Sequence, residues 1–370
     1  MPRFLHTADW QIGRTYHRFA SEDAAFLAEA RLATVERIAG LATERQVDAV
    51  LVAGDVFDAQ TVSDRTVRRL FNALAGFAGP WLMIPGNHDA ALAASVWTRA
   101  RRLACVPGNV YSLEQPCLRL FEAIGVAVLA APLTQRQTYS DLTTWFDDEP
   151  SPPGLLRIGL AHGSVAGVLP ESADSANPIA ADRAATARLD YLALGDWHGT
   201  KCIDARTWYS GTPEPDRFKG NEPGNVLQVD IAGCGAEPVV EVIPVAAYRW
   251  QEWRSEIRVA TDIDELEHRL LDVAMGDVLA LRLAGQVDLE NQRRLQQILD
   301  VAQGRARALE FDLAELRLRP TDADIATLAA DGYVGEVLAE LRDAAQTGEE
   351  GEVAAEALNI MAGILLERRP

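Results

Sequence analysis

Five short polar segments, each directly after a run of apolar residues, constrain this chain more than any other feature of its sequence. The apolar runs, at residues 4–7, 49–53, 81–84, 158–161 and 191–194, are typical of buried strands. The segments that follow them are Asp9-Trp10-Gln11, Gly54-Asp55-Val56-Phe57-Asp58, Gly86-Asn87-His88-Asp89, His162-Gly163 and Gly195-Asp196-Trp197-His198. Because loops at strand ends carry the functional side chains of many strand-and-helix folds, we expect the five segments to meet at one site.

The residue types in these segments suit a pair of divalent cations. A carboxylate can bridge two ions through its two oxygens, and neutral histidine and asparagine complete the coordination without cancelling the positive charge. Two ions about 3.5–4 Å apart can hold a phosphate for in-line attack and lower the pKa of the attacking water, so that no side-chain nucleophile is needed. The segments therefore predict a two-metal site that hydrolyses phosphoesters.

The order of the segments resembles that of the calcineurin-like metallophosphoesterases, in which Asp-x-His, Gly-Asp, Gly-Asn-His-Asp/Glu, a lone His and Gly-His-x-His follow one another. Within that family, residues 6–14 and the later Tyr209-Ser210-Gly211-Thr212-Pro213 look most like the SbcD-type DNA-repair exonuclease branch. The likeness covers roughly the first 230 residues well and the remainder loosely. It implies an α/β (α+β) fold in which two mixed sheets pack as a sandwich flanked by helices.

The resemblance also assigns roles to residues of each segment. The ligands of a first ion would be Asp9, Asp55, His198 and whatever Gln11 provides, and those of a second ion would be Asp55, Asn87, His162 and Asp196. His88 would stand beside the scissile phosphate as a general acid or an oxyanion stabiliser, with Asp89 as its partner. Three further residues beside these loops are expected to contact the substrate: Arg14, Asp58 and Arg217.

Two positions depart from the family pattern. Gln11 stands where the family has histidine, and Asp196 stands where it has the first histidine of Gly-His-x-His. Both changes replace a nitrogen donor with oxygen, which favours harder ions, Mn²⁺ first and Mg²⁺ second. We interpret the site as a working one with an altered metal preference. The alternative is a weakened site that binds nucleic acid or a partner without cutting.

The net charge of −19 argues against a broadly basic DNA-binding surface. Any grip on DNA must come from a local patch, from the metals or from a partner. Four other cationic residues near the predicted loops could contact phosphates. The alternative interpretation is that they form ion pairs on solvated helix faces. These residues are Arg65, Arg68, Arg69 and Lys219.

Cysteine usage and hydropathy favour a soluble, cytoplasmic protein. The four cysteines show no Cys-x-x-Cys pairing, so we expect reduced, buried thiols at Cys105, Cys117, Cys202 and Cys234. No apolar run reaches the roughly 20 residues that cross a bilayer, so we expect no membrane association. The N-terminus enters a strand without a basic and then apolar leader, which favours the cytoplasm.

The sequence pattern changes after residue 244, and we expect three parts. They are a metallophosphoesterase domain over 1–244, a small α+β cap domain over 245–320 and a helical tail over 321–370. In the cap, strands are predicted at 257–260, 278–283 and 306–311, with helices at 262–273 and 289–302. Three aromatic residues at its start, Tyr248, Trp250 and Trp253, would stack on bases or, as the alternative, pack the domain junction.

The tail is acidic, with eleven aspartates and glutamates against Arg342, Arg368 and Arg369. Its last helix, predicted at 353–366, has an apolar stripe that would dock onto the same chain or onto a partner. The stripe consists of Ala354, Leu358, Met361, Ile364 and Leu365. In the nuclease branch such helices bind the coiled coil of an SMC-like ATPase. Since no Walker-type loop occurs in this sequence, that ATPase would be a separate chain.

The leading hypothesis is a Mn²⁺- or Mg²⁺-dependent DNA exonuclease or endonuclease subunit of a DNA repair complex. The wording of the first segment and the roughly 130 residues beyond the phosphoesterase domain favour it. The main alternative is a phosphoesterase for small nucleotides or phosphoproteins on the same fold, which the acidic charge favours. A scaffold subunit with a weakened site is a third class. A homodimer is implied by the family resemblance alone.

Overall fold

Residues 2–168, 176–218, 220–319, 321, 324, 333–346 and 351–367 are described in this computed structural model. The chain divides into two compact units, Met1–Tyr248 and Arg249–Pro370. The division falls close to residue 244, where the sequence predicts that the first domain ends. A separate tail domain from residue 321 stays a prediction. The predicted phosphate contact Lys219 lies outside the described residues, as does much of the acidic tail.

The first unit contains two mixed sheets of six strands each, with the strands numbered in chain order. Across the first sheet lie β14 (Val239–Pro244), β13 (Asn225–Asp230), β1 (Arg3–Thr7), β2 (Ala49–Ala53), β3 (Trp81–Ile84) and β4 (Val110–Ser112). Across the second lie β11 (Lys201–Cys202), β12 (Thr207–Tyr209), β10 (Tyr191–Gly195), β7 (Leu156–His162), β6 (Val126–Ala131) and β5 (Cys117–Phe121). A small additional pair consists of β8 (Ser164–Val165) and β9 (Pro178–Ile179).

Helices flank the sheets of the first unit. They are α1 (Ser21–Glu44), α2 (Asp64–Ala73), α3 (Val96–Arg102) and the short α4 (Arg183–Thr186), with 3₁₀ turns at Leu74–Gly76, Glu122–Ile124 and Thr144–Asp147. On one side of the first sheet, residues of α1 and α2 such as Val35, Ile38 and Leu70 pack in one buried cluster with strand residues. Each of these two helices therefore turns an apolar face toward the core.

The interior of the sandwich is built from both sheets. Phe4 and Leu51 of the first sheet share one buried cluster with Ile158 and Leu160 of the second. Because strands covered on both faces are apolar throughout, they read in the sequence as continuous apolar runs rather than as alternation. The predicted sandwich of two mixed sheets flanked by helices is confirmed.

Strand direction brings the five polar segments together. In the first sheet β1, β2 and β3 are parallel neighbours, and in the second sheet β7 and β10 are parallel neighbours. Their carboxyl ends therefore lie at common sheet edges. The two edges are joined directly, because the His162 ring Nδ1 lies 2.8 Å from the carbonyl oxygen of Ala53.

His6 is a second link between the sheets. Its ring Nε2 donates to the carbonyl oxygen of Leu194 at 3.1 Å, so its Nδ1 is the acceptor for the Tyr191 hydroxyl at 2.9 Å. The ring is fully buried. Burial lowers the pKa of His6 to about 3, although the bond to Leu194 opposes this shift. His6 is therefore a neutral core histidine.

We expect the protein to lose about 2 kcal/mol of stability through His6 when the pH falls from 8 to 5. The unfolded chain takes up a proton near the ordinary histidine pKa of about 6.5, whereas the folded chain resists it down to a pKa of about 3. Below pH 6.5 the unfolded state therefore binds more protons, and stability falls with pH throughout that window. Urea unfolding in EDTA at both pH values measures the loss.

The matched variant for this measurement is His6→Gln, which has no group that titrates in this range. It will be less stable at both pH values because it cannot make both hydrogen bonds of the ring. Its stability should nevertheless change less between pH 8 and pH 5 than that of the native protein. An equal pH dependence in the two proteins would show that His6 does not titrate as argued.

The second unit is a three-stranded parallel sheet with crossover helices. Its elements in chain order are β15 (Arg249–Ile257), α5 (Ala260–Leu271), β16 (Asp277–Val287), α6 (Leu289–Arg305) and β17 (Ala308–Leu318). The predicted order of strand, helix, strand, helix and strand is confirmed, but the first strand is misplaced in the prediction, since it ends at Ile257. The Asp262 carboxylate accepts from the backbone N–H groups of Arg258 and Val259, which starts α5 at the position predicted as strand.

Of the aromatic residues expected at the start of the cap, Trp253 packs within the second unit. It lies beside the buried cluster of Ile263, Leu279 and Leu295. The guanidinium of Arg269 stands over its ring, 4.4 Å from the centroid. This surrounding favours a packing role for Trp253.

Two helices follow, α7 (Tyr333–Gln346) and α8 (Gly351–Glu367). The predicted apolar stripe of the last helix docks partly onto its own chain, because Leu358 is buried with Leu338 and Leu365 packs against the same cluster. Ile364 of the stripe is 48% exposed and Ile360 is 57% exposed. Leu358 and Leu365 of the stripe therefore pack against the same chain, and Ile364 faces solvent.

Two further predictions meet the structure here. In the described part of the chain, no helix is both long enough and apolar enough to span a bilayer. The four cysteines are free, as expected. The expectation that they are buried is wrong for Cys202 and Cys234, which are exposed. Cys105 and Cys117 are half-buried.

Candidate metal centre

Asp9, Asp55 and His162 form the heart of the site. Asp9 follows β1, Asp55 follows β2 and His162 ends β7, so both sheets contribute to the cluster. One ligand atom from each residue lies within 4.8 Å of the others, and all three residues are buried. Two carboxylates and an imidazole are a donor set that divalent transition ions accept.

His162 is oriented toward the other residues predicted for the second ion. Its Nδ1 donates to the Ala53 carbonyl, which directs Nε2 into the site. Nε2 lies 3.0 Å from the Asn87 amide oxygen, 3.6 Å from Asp55 Oδ1 and 3.8 Å from Asp196 Oδ1. The structure thus brings together the four side chains that the sequence assigns to this ion.

The charges of the site call for cations. Burial raises the pKa of Asp9 well above its usual range, and the neighbouring carboxylates of Asp55 and Asp196 add to the shift. Burial disfavours the charged form of His162, but the same carboxylates outweigh it and raise the pKa of His162 to about 9. Divalent ions would favour the charged form of these carboxyl groups, so a donor set of three carboxyl groups and one imidazole fits such ions.

The backbone of this site is held in a conformation that side chains rarely adopt. Asp9, Gln11, Asp55 and Asp196 have φ angles of 55°, 44°, 52° and 101°. Each such residue costs on the order of 1 kcal/mol or more and persists only where its surroundings enforce it. For Asp196 one enforcing contact is its own N–H, which donates to the Asp9 carboxylate at 3.2 Å. Four positions predicted as ligands therefore have this unfavourable backbone conformation.

Two glycines of the motifs are required by close approach. A Cβ at Gly86 would collide with the Asp55 carboxylate, and a Cβ at Gly195 would collide with the Ala53 carbonyl oxygen. The Gly-Asn and Gly-Asp pairs of the sequence therefore mark the points where the loops of the site meet most closely.

His88 stands at the open side of the cluster. Its backbone N–H donates to Asp55 Oδ1 at 2.9 Å, and its ring Nδ1 donates to the Asp58 carbonyl oxygen at 2.7 Å. Its Nε2 therefore faces the site, 3.9 Å from Asp55 Oδ2. The side chain is 38% exposed, whereas that of His162 is fully buried. This position suits a group that exchanges a proton with a substrate.

Asp89 differs from its predicted role as the partner of His88. Its carboxylate accepts from the backbone N–H groups of Val56 at 3.0 Å, Phe57 at 3.2 Å and Gly86 at 2.7 Å. The side chain is fully buried and turned into the fold. The prediction is corrected because the His88 ring has the Asp58 carbonyl as its partner. Asp89 ties the loop after β2 to the loop after β3.

The role of Gln11 as a ligand stays a prediction, and in this structure its amide contacts two neighbouring side chains. Its amide oxygen accepts from Arg14 Nη1 at 2.7 Å, and its amide nitrogen lies 3.3 Å from His198 Nε2. The oxygen that would coordinate an ion is thus directed toward a guanidinium. Arg14 in turn lies 3.2 Å from Asp58 Oδ1 and 3.2 Å from Asp216 Oδ2.

The predicted substrate contacts Arg14, Asp58 and Arg217 line the rim of the site. The side chains of Arg14 and Arg217 are 24% and 38% exposed, and Arg217 Nη2 lies 3.1 Å from His198 Nδ1. On α2, by contrast, Arg69 is paired with Glu29 and Arg68 donates to the Leu103 carbonyl. These two contacts favour the alternative interpretation for the helix arginines.

Two buried residues of the site escaped the sequence prediction. Asp216 accepts from His198 Nδ1 at 3.2 Å, and it lies in Pro213-Glu214-Pro215-Asp216, directly after a recognised motif. Arg31 of α1 donates to the Trp10 carbonyl at 2.6 Å and the Glu214 carbonyl at 3.1 Å. An acid beside prolines and an arginine on the apolar face of a helix were the available signals.

Metal-dependent phosphoesterases are the class of enzyme that this fold and this donor set define. The family is then given by comparison: residues 2–218 match the model of the calcineurin-like phosphoesterases, and the chain belongs to that family.

Curated relatives place the chain within the family more narrowly. It is 32% identical over 286 residues to the SbcD subunit of the SbcCD nuclease of Rhodobacter capsulatus. The matched region covers 64% of this chain and 68% of that protein. It is 25% identical over 345 residues to the SbcD subunit of the SbcCD nuclease of Bacillus subtilis, and the matched region covers 80% of this chain and 82% of that protein. It is 27% identical over 284 residues to the DNA double-strand break repair protein Mre11 of Aeropyrum pernix, covering 72% and 64%.

Proposed function

We propose that the protein is a DNA nuclease that hydrolyses phosphodiester bonds with two divalent ions, Mn²⁺ or Mg²⁺. The observation that carries the proposal is the buried cluster of Asp9, Asp55 and His162 with an exposed His88 at its open side. The likeness to proteins named as nuclease subunits and as Mre11 supports DNA as the substrate. The carboxylate in place of histidine at Asp196 supports the harder ions.

The residues of the site divide the work. Asp9, Asp55 and His198 would hold the first ion, and Asp55, Asn87, His162 and Asp196 would hold the second. Bound ions would polarise the phosphodiester and lower the pKa of the attacking water. His88 Nε2, which faces the open side, would protonate or steady the leaving oxygen. The guanidinium groups of Arg14 and Arg217 would bind substrate phosphates, and Asp58 holds Arg14 in place.

The proposal includes a separate SMC-like coiled-coil ATPase as a partner. The name of two relatives describes a subunit of a complex, and the net charge of −19 leaves DNA binding short of cationic surface. The outward part of the last helix, with Ile360 and Ile364, is the candidate docking element. The second unit would act as a cap that positions DNA. A homodimer and a cytoplasmic location complete the proposal.

The test is cleavage of end-labelled single- and double-stranded DNA with Mn²⁺, Mg²⁺ or EDTA, beside hydrolysis of a small chromogenic phosphodiester. We expect DNA cutting with Mn²⁺, less with Mg²⁺ and none in EDTA. The expectation follows from a buried cluster of two carboxylates and an imidazole, which fits divalent ions.

The other outcomes separate the competing functions. Turnover of the chromogenic diester without DNA cutting, in the presence of a coiled-coil ATPase from the same genome, would favour a phosphoesterase for small nucleotides. The acidic charge is the observation that supports this second candidate. Turnover of neither substrate would favour a scaffold subunit with a weakened site.

A further inference from the structure

We propose that Asp216 is a positioning residue of the metal centre, which holds the His198 ring with its Nε2 lone pair directed at the ion. The inference rests on the proposed function, in which His198 is a ligand of the first ion. It is carried by a chain of hydrogen bonds from Arg14 through Gln11 and His198 to Asp216.

The first links of this chain fix the orientation of the Gln11 amide. A guanidinium can only donate hydrogen bonds, so the atom that faces Arg14 Nη1 at 2.7 Å must be the amide oxygen. The amide nitrogen of Gln11 then faces His198 Nε2 at 3.3 Å, and this nitrogen can only donate. His198 Nε2 is therefore the acceptor and carries no proton.

The next link is the Nδ1 atom of His198. A histidine ring always carries a proton on at least one of its two nitrogens. Since Nε2 has none, the proton is on Nδ1, and Asp216 Oδ1 accepts it at 3.2 Å. A carboxylate on the far nitrogen of a ligating histidine fixes the ring and strengthens it as a donor. A bound ion would take the place of the Gln11 amide at Nε2.

Arg217 makes this arrangement dependent on Asp216. Its Nη2 lies 3.1 Å from the same His198 Nδ1, and it can only donate. Alone, it would favour the tautomer with the proton on Nε2, which cannot bind an ion through that atom. Asp216 prevents this by accepting from Arg217 Nε at 3.0 Å and Nη2 at 2.8 Å. The carboxylate thus decides which way the ring is protonated.

A competing interpretation makes Asp216 a plain counter-charge for arginines. Its side chain is 1% exposed, and it also lies 3.2 Å from Arg14 Nη2, so the two guanidinium groups alone account for its burial. The two interpretations differ in one respect. A counter-charge acts on stability, whereas a positioning residue acts on the ion through His198.

The test is a titration of the full-length protein with Mn²⁺, in which electron paramagnetic resonance measures the concentration of the ion that remains free. We expect two sites in the native protein. Asp216→Asn should weaken one of them by about 10- to 100-fold and leave the other unchanged. The same substitution in a His198→Asn background should change Mn²⁺ affinity by less than about twofold, because the residue it acts through is gone.

Asp190→Asn is the matched control. Asp190 is a buried aspartate that precedes β10, at the opposite end of the strand from the site, where it accepts from the backbone of Arg157 and Gly235. This variant should lose stability and keep both Mn²⁺ affinities. No weakening by Asp216→Asn, or equal weakening with and without His198, would overturn the proposal.

Nitrogen-15 NMR of the metal-free native protein tests the same inference without relying on the folding of Asp216→Asn. The His198 signals, identified by their absence in His198→Asn, should show a proton on Nδ1 and none on Nε2. The opposite tautomer would overturn the proposal. A native protein that takes up no Mn²⁺ but shows the expected tautomer would count against the proposed function and leave the role of Asp216 supported.

Discussion

Replacing Asp55 by asparagine is expected to abolish tight Mn²⁺ binding and to lower phosphodiester hydrolysis by about a thousandfold or more. Asp55 is the residue proposed to hold both ions, and its Oδ1 lies 3.6 Å from His162 Nε2 and 2.9 Å from the backbone nitrogen of His88. The substitution would remove one negative charge from the ligands of both ions. A thousandfold decrease in rate corresponds to a loss of roughly 4 kcal/mol of transition-state stabilisation.

Isothermal titration with Mn²⁺ and cleavage of labelled DNA measure the two effects. Asp277→Asn is the control, because Asp277 is an equally buried aspartate of the second unit that accepts from Arg249 and Gln251. It should retain Mn²⁺ binding and activity. Undiminished Mn²⁺ binding by Asp55→Asn would show that Asp55 does not bridge the ions.

Replacing His88 by asparagine is expected to lower DNA cleavage by about 10²- to 10⁴-fold while both Mn²⁺ sites stay filled. The side chain is 38% exposed at the open side of the cluster, and its Nδ1 is bonded to the Asp58 carbonyl, so Nε2 is the ring atom that would contact a substrate. Asparagine can replace the bond to that carbonyl but cannot transfer a proton.

The separation of rate from metal binding is what tests this role. His268→Asn, at an exposed histidine of α5, is the control and should behave as the native protein does. A variant at His88 that cuts DNA slowly because it binds Mn²⁺ weakly would instead make His88 a ligand or a structural residue.

The sequence predicts which residues meet at the candidate metal centre, because local pattern decides where they lie. Asp9, Asp55 and His162 each lie at the end of an apolar run, and parallel pairing then brings the ends together without further information. The same holds for the sandwich itself, whose buried strands are apolar throughout.

The orientation of side chains within the site was not predictable in this way. Whether the Gln11 oxygen faces an ion or Arg14 depends on where Arg14 lies, and Arg14 is placed by Asp216 from the far end of the first unit's chain. The role of Asp89 similarly depends on backbone N–H groups of another loop. Neither contact leaves a periodic trace in the sequence.

In the second unit the first strand escaped prediction for a different reason. β15 is an edge strand that combines exposed charged residues, such as Arg249, Glu252 and Arg254, with half-buried ones. The strand was therefore predicted at the short apolar stretch 257–260, whereas the observed strand ends at Ile257.

The hydrogen bonds that join the two sheets have a consequence for how the centre fails. His162 belongs to one sheet and its carbonyl partner Ala53 to the other, and His6 makes a similar link to Leu194. The residues predicted as ligands therefore come from both sheets, and they stay together only while the two sheets remain packed. Any separation of the sheets is accordingly expected to release bound metal.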